Sequence, residues 1–450
     1  MKKLIAVLLL AVGTIFTAAA QNDNSAVLKN WKTSRPIPYG GKQRGGEIMV
    51  PTSYLQRNPE FRGVWVATVE NIDFPKHSNG TDFERDYLAV VNTLQKLNCN
   101  AIIFQVRPNN DAFYPSKLNP WSRWLTGTEG TAPGNFDPLI FMINEAHKRG
   151  LEFHAWLNPY RVTNSTPLRK DGYLATLAPN NFARKRPDLV MEIPLENNKY
   201  QLILNPGEPE VIAFVVATVK EILDRYPVDA IHFDDYFYPY SGMGNQDAET
   251  FKKYRNGIVS IDNWRRNNVD RLIFSLRKTI DSHNEHNGTK VQLGISPFGI
   301  WANQKNNPLG SLTDGSQSFY RQHADTRQWI KRNWIDYIIP QLYWPFGRDV
   351  APYAALADWW AAQVRGTNVN LYIGMAAYQV GGANEMWQNP DEFAAQMRFN
   401  SARKNIKGEA IFSYRNIANP ANEIQRNGVR RILEKYWRNR ASAPATQIRR

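Results

Sequence analysis

The chain has 450 residues, a formal net charge of +14 and one cysteine, Cys99. A single cysteine excludes an internal disulfide framework, so the fold must rest on a packed core, which a chain this long can build. The basic excess is spread along the sequence rather than clustered, so no nucleic-acid partner is expected; anionic wall polymers and acidic glycans fit better.

Residues 1–20, "MKKLIAVLLLAVGTIFTAAA", begin with two lysines, continue as an apolar run and end in three alanines. That pattern predicts a secretory signal peptide. It implies export across the inner membrane to a periplasmic or extracellular site, with no integral membrane segment after cleavage. No cysteine stands at the cleavage site, so no lipid anchor is expected. Residues 21–57 are polar with interspersed Pro and Gly and read as an N-terminal arm or linker.

From Phe61 a β-rich run, a loop and a helical stretch alternate. The strand candidates are "FRGVWVATV", "AIIFQVRP", "LEFHAWLNPYR", "DAIHFDDY", "VQLGISPFG", "YIIPQLYW", "LYIGMAAYQ" and "AIFSYRNI". Amphipathic stretches such as "DFERDYLAVVNTLQKLN" and "EPEVIAFVVATVKEILDRY" separate them. Strand–helix alternation means a parallel sheet. Eight units predict a (β/α)₈ TIM barrel over residues 58–440, closed by a C-terminal helix, with 441–450 as a loose tail. An open doubly wound sheet is disfavoured because no glycine-rich phosphate loop follows the first strand. The segments after strands are long: 71–80, 109–135, 159–206 and 239–247. They would crowd the C-terminal mouth, where barrel active sites lie.

Strand side chains alternate between faces. In "AIHFDDY" the apolar Ile231 and Phe233 belong against helices, so His232 and Asp234 point inward. Asp235 then falls on the helix-facing parity, at or past the strand end. The same reasoning places His154, Trp156 and Asn158, Gln105 and Arg107, and Gln341 and Tyr343 inside. Ser296, Tyr378, Ser413 and Arg415 join them from later strands. A purely structural barrel would fill that end with Val, Ile and Leu; this one is polar and aromatic.

Glycoside hydrolysis uses two carboxyl groups, one protonated and one ionised. Asp234 is the expected ionised group, with Arg107 and His232 holding its charge. For its partner the candidates are, in order, Asp111, Asp235, Asp73 and Glu70. Trp65, Tyr236, Tyr343, Tyr378 and the other inward residues would bind substrate, since flat aromatic faces pack on pyranose rings. A metal site from His154, His232 and Asp234 is a weaker reading, because no His-x-His, His-Glu-x-x-His or cysteine cluster is present; no metal or cofactor is expected. Ser296 and Ser413 lack a Gly-x-Ser-x-Gly elbow. The competing classes are a non-catalytic glycan-binding barrel and a metal-dependent polysaccharide deacetylase.

Four motifs, "FRGVWVATVENIDFP", "FQVRPNNDAFYPS", "HAWLNPYR" and "IHFDDYFYP", together resemble the glycosyl-hydrolase-like family ten, bacterial exported proteins often described as lipoproteins. The resemblance spans about residues 60–416. It implies a TIM-barrel glycosidase acting on a polysaccharide, with peptidoglycan glycan strands a leading candidate. It also implies that Asp234 and Asp235 carry the catalytic region.

Overall fold

Eight short runs rich in β-branched and aromatic residues pair side by side and in parallel. They are β1 (Phe61–Val66), β2 (Ala101–Arg107), β3 (Glu152–Leu157), β4 (Ala230–Phe233), β5 (Gln292–Ile295), β6 (Tyr337–Ile338), β7 (Asn370–Ala376) and β8 (Ile406–Phe412). In the computed structural model, which describes residues 24–42 and 44–445, β8 pairs back onto β1 and the sheet closes as a barrel. The expected (β/α)₈ barrel is therefore the fold. The expected signal peptide lies outside the described residues.

The principal crossover helices are α1 (Gly80–Lys96), α2 (Pro138–His147), α3 (Pro209–Arg225), α4 (Ile261–Asn287), α5 (Thr326–Lys331), α6 (Tyr353–Gln363), α7 (Glu392–Ser401) and α8 (Arg431–Tyr436). Their ends follow local chemistry. The Asn79 side chain accepts from Asp82 N at the start of α1, and Asp137 accepts from Leu139 N ahead of Pro138 in α2. Gly288 closes α4 in the left-handed region at φ 66°. On α1, Phe83, Tyr87, Val90, Val91 and Leu94 recur at helical spacing and are buried against the barrel.

Two apolar layers result. The larger lies between strands and helices. The smaller fills the barrel interior with Phe61, Trp65, Ile103, Trp156, Tyr337, Ile339 and Tyr372, and the rings of Phe61 and Tyr372 stack at 3.9 Å. Each fully buried side chain of this size contributes about 1.5–3 kcal/mol. Alternation thus sorts each strand into a helix-facing and an axial set.

Residues 24–42 and 44–57 are seated on the barrel. Ser25–Val27 pairs antiparallel with Met49–Pro51, Ile48 and Val50 are buried, and Tyr54 stacks on Tyr436 at 4.7 Å. At the other end, Glu60 N donates to Ser442 O and Asn100 Nδ2 donates to Ala441 O. Between β3 and α3, in place of the long loop expected over 159–206, the chain builds a three-stranded antiparallel sheet from Arg161–Thr166, Val190–Pro194 and Tyr200–Leu204. Among the described residues, no helix is long and apolar enough to cross a membrane.

Candidate active site

A cavity of about 390 Å³ opens at the C-terminal mouth. Its floor and walls include Trp65, Glu70, Gln105, Trp156, Arg161, Asp234, Asp235, Tyr236, Ser296, Gln341, Tyr343 and Tyr378. A second cavity of about 370 Å³ shares Tyr240, Gln341, Tyr343 and Tyr378 with it and runs on over Trp344, Arg348 and Trp387. The two form one groove walled by aromatics. Tyr343 meets Tyr378 edge-on at 5.7 Å, and Tyr240 meets Phe298 at 5.8 Å.

β4 ends at Phe233, and both following aspartates turn into this groove. Asp234 takes the axial position that alternation gives it. Its Oδ2 accepts from Trp156 Nε1 at 3.0 Å, and its Oδ1 accepts from Asn158 Nδ2 and Tyr236 N, each at 3.1 Å. Arg161 Nη2 stands 4.0 Å away and lies over the Tyr236 ring at 4.3 Å. Burial raises the Asp234 carboxyl above its usual range, while Arg161 and these donors oppose the rise. Asp235 has fewer compensations. Burial, then the Asp234 charge, push it up to about 8, against donation from Gln341 and the more distant Arg161. Tyr240 donates its hydroxyl to Asp235. Burial thus raises both neighbouring carboxyls, but unequally: Asp234 has Arg161 and three donors opposing the rise, while Asp235 also meets the Asp234 charge.

Several other expected site residues lie elsewhere. Simple alternation puts Arg107 inside. The β2–β3 pairing slips between Gln105, opposite Trp156, and Arg107, opposite Leu157. That irregularity turns Arg107 to the helix side, where it lies over Phe214 of α3 and donates to Asn119, Asn110 and Asn158 O. It braces the loop that carries Asn158 rather than lining the groove. Asp111 is buried in the β2 loop, accepting from Ser122 Oγ at 2.6 Å and Asn109 N at 3.0 Å; it does not line the groove. Asp73 accepts from Ala67 N, Ser413 Oγ and Arg415 N, tying the β1 loop to the end of β8. His154 and His232 point inward as expected but lie beneath the groove, both on the Tyr337 hydroxyl. Asn158 reaches Asp234 rather than the open cavity.

Sequence reasoning missed Arg161, Tyr240 and Asn164 as lining residues. Arg161 was visible at the end of "HAWLNPYR", but its orientation depends on the antiparallel sheet it opens. Glu70 also lines the groove. It is exposed, and its backbone is left-handed at φ 53° with Asn71 following at 51°. Among the described residues, no group of three or more His, Cys, Asp or Glu side chains is arranged to hold a metal ion.

A closed parallel barrel with paired carboxyls and an aromatic groove at its C-terminal mouth has the architecture of a glycosidase. The family described as Glycosyl hydrolase-like 10 matches residues 60–391, and the chain belongs to it. Glycosyl hydrolase YngK of Bacillus subtilis (strain 168) is 42% identical over 379 residues, 82% of this chain and 71% of that protein. Glycosyl hydrolase DigH of Escherichia coli (strain K12) is 39% identical over 383 residues, 80% of this chain and 84% of that one. The protein is a glycoside hydrolase by these relationships. Among solved structures, α-L-fucosidase isoenzyme 2 from Paenibacillus thiaminolyticus aligns with TM-score 0.49 at 13% identity, over 84% of this chain and 49% of that one. A GH113 β-1,4-mannanase aligns with TM-score 0.45 at 12% identity, over 86% of this chain and all of that one.

Proposed function

We propose that this glycoside hydrolase is exported and cleaves a polysaccharide of the cell envelope, with peptidoglycan glycan strands as the leading substrate. The observation that carries the mechanism is the unequal environment of the Asp234–Asp235 pair. Asp235, pushed up to about 8, is the acid that protonates the leaving oxygen. Asp234, held by Trp156, Asn158 and Tyr236 N, is the ionised partner that attacks the anomeric carbon or activates water. Tyr343, Tyr378, Trp344 and Tyr240 supply flat faces for successive sugar rings along the groove. The apolar, lysine-started N-terminus supports export, and the net charge of +14 suits an anionic wall.

The test is release of reducing ends from bacterial wall glycans, with and without stem peptides, beside plant and host polysaccharides. Asp234→Asn is expected to lower turnover by about 10²–10⁴-fold while glycan binding persists. Retained turnover in Asp234→Asn would remove Asp234 from the chemistry. Binding without product on every glycan would make the barrel a glycan-binding protein.

A further inference from the structure

A polar file runs down the barrel axis beneath the groove. Ser296 Oγ lies 2.9 Å from His232 Nε2, and His232 Nδ1 lies 3.0 Å from the Tyr337 hydroxyl. That hydroxyl lies 2.8 Å from His154 Nδ1, and His154 Nε2 lies 3.0 Å from Glu152 Oε2. Ser296 lines the groove. Glu152 is the first residue of β3, partly exposed at the opposite face of the barrel. Five side chains from four strand segments therefore link the two ends of the barrel through an otherwise apolar interior.

The direction of this file follows from its donors. The Trp65 indole nitrogen, which can only donate, aims its hydrogen at His232 Nε2 from 3.4 Å. His232 Nε2 must therefore be bare. Burial depresses the basicity of His232 well below the usual imidazole range, so the ring is neutral and its hydrogen sits on Nδ1. His232 then donates to the Tyr337 oxygen. Tyr337, whose buried phenol keeps its proton, spends that hydrogen on His154 Nδ1. His154 accordingly carries its hydrogen on Nε2 and gives it to Glu152. At the top, Nε2 offers one lone pair, and the Ser296 hydroxyl at 2.9 Å takes it more fully than the Trp65 indole at 3.4 Å. With its hydrogen spent on His232, Ser296 keeps its oxygen as an acceptor at the groove it lines.

The space for this file is built into the backbone. Gly294 of β5 pairs with both His232 and Tyr337. A Cβ on Gly294 would fall 1.8 Å from Tyr337 Cζ and 2.4 Å from its hydroxyl. The missing side chain is the room in which the phenol lies between the two imidazoles. Gln341 anchors the upper end, donating to Ser296 O at 2.9 Å while it also serves Asp235.

We infer that Glu152, His154, Tyr337 and His232 form a positioning relay that fixes the Ser296 hydroxyl as a hydrogen-bond acceptor, so that the groove floor selects a sugar presenting a hydroxyl or amide N–H donor beside the Asp234–Asp235 pair. This deepens the glycosidase reading and rests on it for the identity of the ligand. The relay residues act through Ser296 and touch no substrate. No proton needs to travel: the file sets an orientation, and His232 stays neutral throughout.

Two measurements test it. The first needs no substrate. Nitrogen-15 NMR of the imidazoles in the full chain is expected to show His232 protonated at Nδ1 and His154 at Nε2, with the His232 tautomer no longer held in Tyr337→Phe, where its Nδ1 hydrogen loses its acceptor. His232 protonated at Nε2 would overturn the relay whatever the protein hydrolyses. The second is a double-mutant cycle on peptide-free N-acetylglucosamine–N-acetylmuramic acid oligosaccharides. Ser296→Ala and Tyr337→Phe are each expected to lower kcat/KM by about three- to tenfold, the worth of one neutral hydrogen bond. Tyr337→Phe should cost nothing further when Ser296 is already Ala. Additive losses would make Tyr337 merely structural. Oligosaccharides with 2-deoxy sugars separate the two donors, since a preference lost with the whole 2-substituent identifies the amide N–H. If none of these sugars is cleaved, the substrate reading fails, while the tautomers and their response to Tyr337→Phe still decide the relay.

Discussion

The Trp156 indole donates to Asp234 Oδ2 across 3.0 Å, joining β3 to the end of β4 at the groove floor. A hydrogen bond to the charged form favours that form. Trp156→Phe keeps most of the ring and removes the donor. Asp234 should then rise further above the usual carboxylate range, and the acid limb of the kcat/KM profile should move to higher pH. The loss at the optimum is expected to be about ten- to hundredfold, the worth of a hydrogen bond to a charged group. A pH–rate profile of the variant beside the parent checks it; an unmoved acid limb would separate the indole from the charge on Asp234.

The alkaline limb belongs to Asp235. Burial and the Asp234 charge push its carboxyl up to about 8. An acid catalyst must be protonated, so kcat/KM should fall as pH rises through about 8. Stability follows the same proton. Because the folded value lies above the unfolded one, the folded state holds the proton more tightly. The contribution is full below about pH 4 and is lost as pH rises through about 8. Asp235→Asn removes this dependence. Its melting temperature should gain on the parent's steadily from pH 4 to pH 9, while turnover collapses. Thermal scans across that range would show parallel curves if Asp235 titrated normally.

Tyr378 is 42% exposed, so its ring is available as a platform where the two cavities meet. Losing one stacking face should weaken binding along the groove without touching proton transfer. Tyr378→Ala is expected to raise KM about three- to tenfold, with kcat nearly unchanged, consistent with an aromatic contact of about 0.5–1.5 kcal/mol. Initial rates on long and short oligosaccharides would locate the contact. An equal loss in kcat on both would place Tyr378 in the chemistry instead.

Much of this architecture was legible because alternation carried it. Ile231 and Phe233 against the helices leave His232 and Asp234 inside, and that is their arrangement. Alternation fails where the backbone slips, and nothing in "IIFQVRP" announces that Arg107 pairs one step out of register. It says nothing past a strand end, so Asp235 enters the groove although parity put it against the helices. The start of β8 was hidden for a different reason. "IKGE" reads as polar, yet Glu409 is fully buried because Arg57, distant in sequence, comes to meet it. The antiparallel sheet around 161–204 was unreadable because "RVTNST" is short and polar, and its partners lie far along the chain.

Arg57 carries the last prediction. Its guanidinium donates to Glu60 Oε1 at 2.8 Å and to Glu409 Oε1 at 3.1 Å, and it gives a third hydrogen bond to Ile406 O at 2.8 Å. Arg62 takes the other oxygen of Glu60 at 2.8 Å. Both glutamates are fully buried. The network fastens the N-terminal segment to the seam where β8 closes on β1. Taking one partner from a buried pair leaves a charge with no compensation, which costs about 3–5 kcal/mol. Arg57→Ala should therefore destabilise by that order in denaturant titration. Burial already pushes Glu409 up to about 7 against the pull of Arg57, so the abandoned carboxyl would take up a proton. The deficit of Arg57→Ala should consequently shrink as pH falls from alkaline values to about 7 and level off below, where the parent's Glu409 is protonated as well. Arg57→Ala/Glu409→Gln should recover part of it at neutral pH, because the variant replaces the stranded charge with a neutral group of the same shape. A double variant no more stable than Arg57→Ala would show that lost packing of the arm, rather than the buried charge, sets the cost.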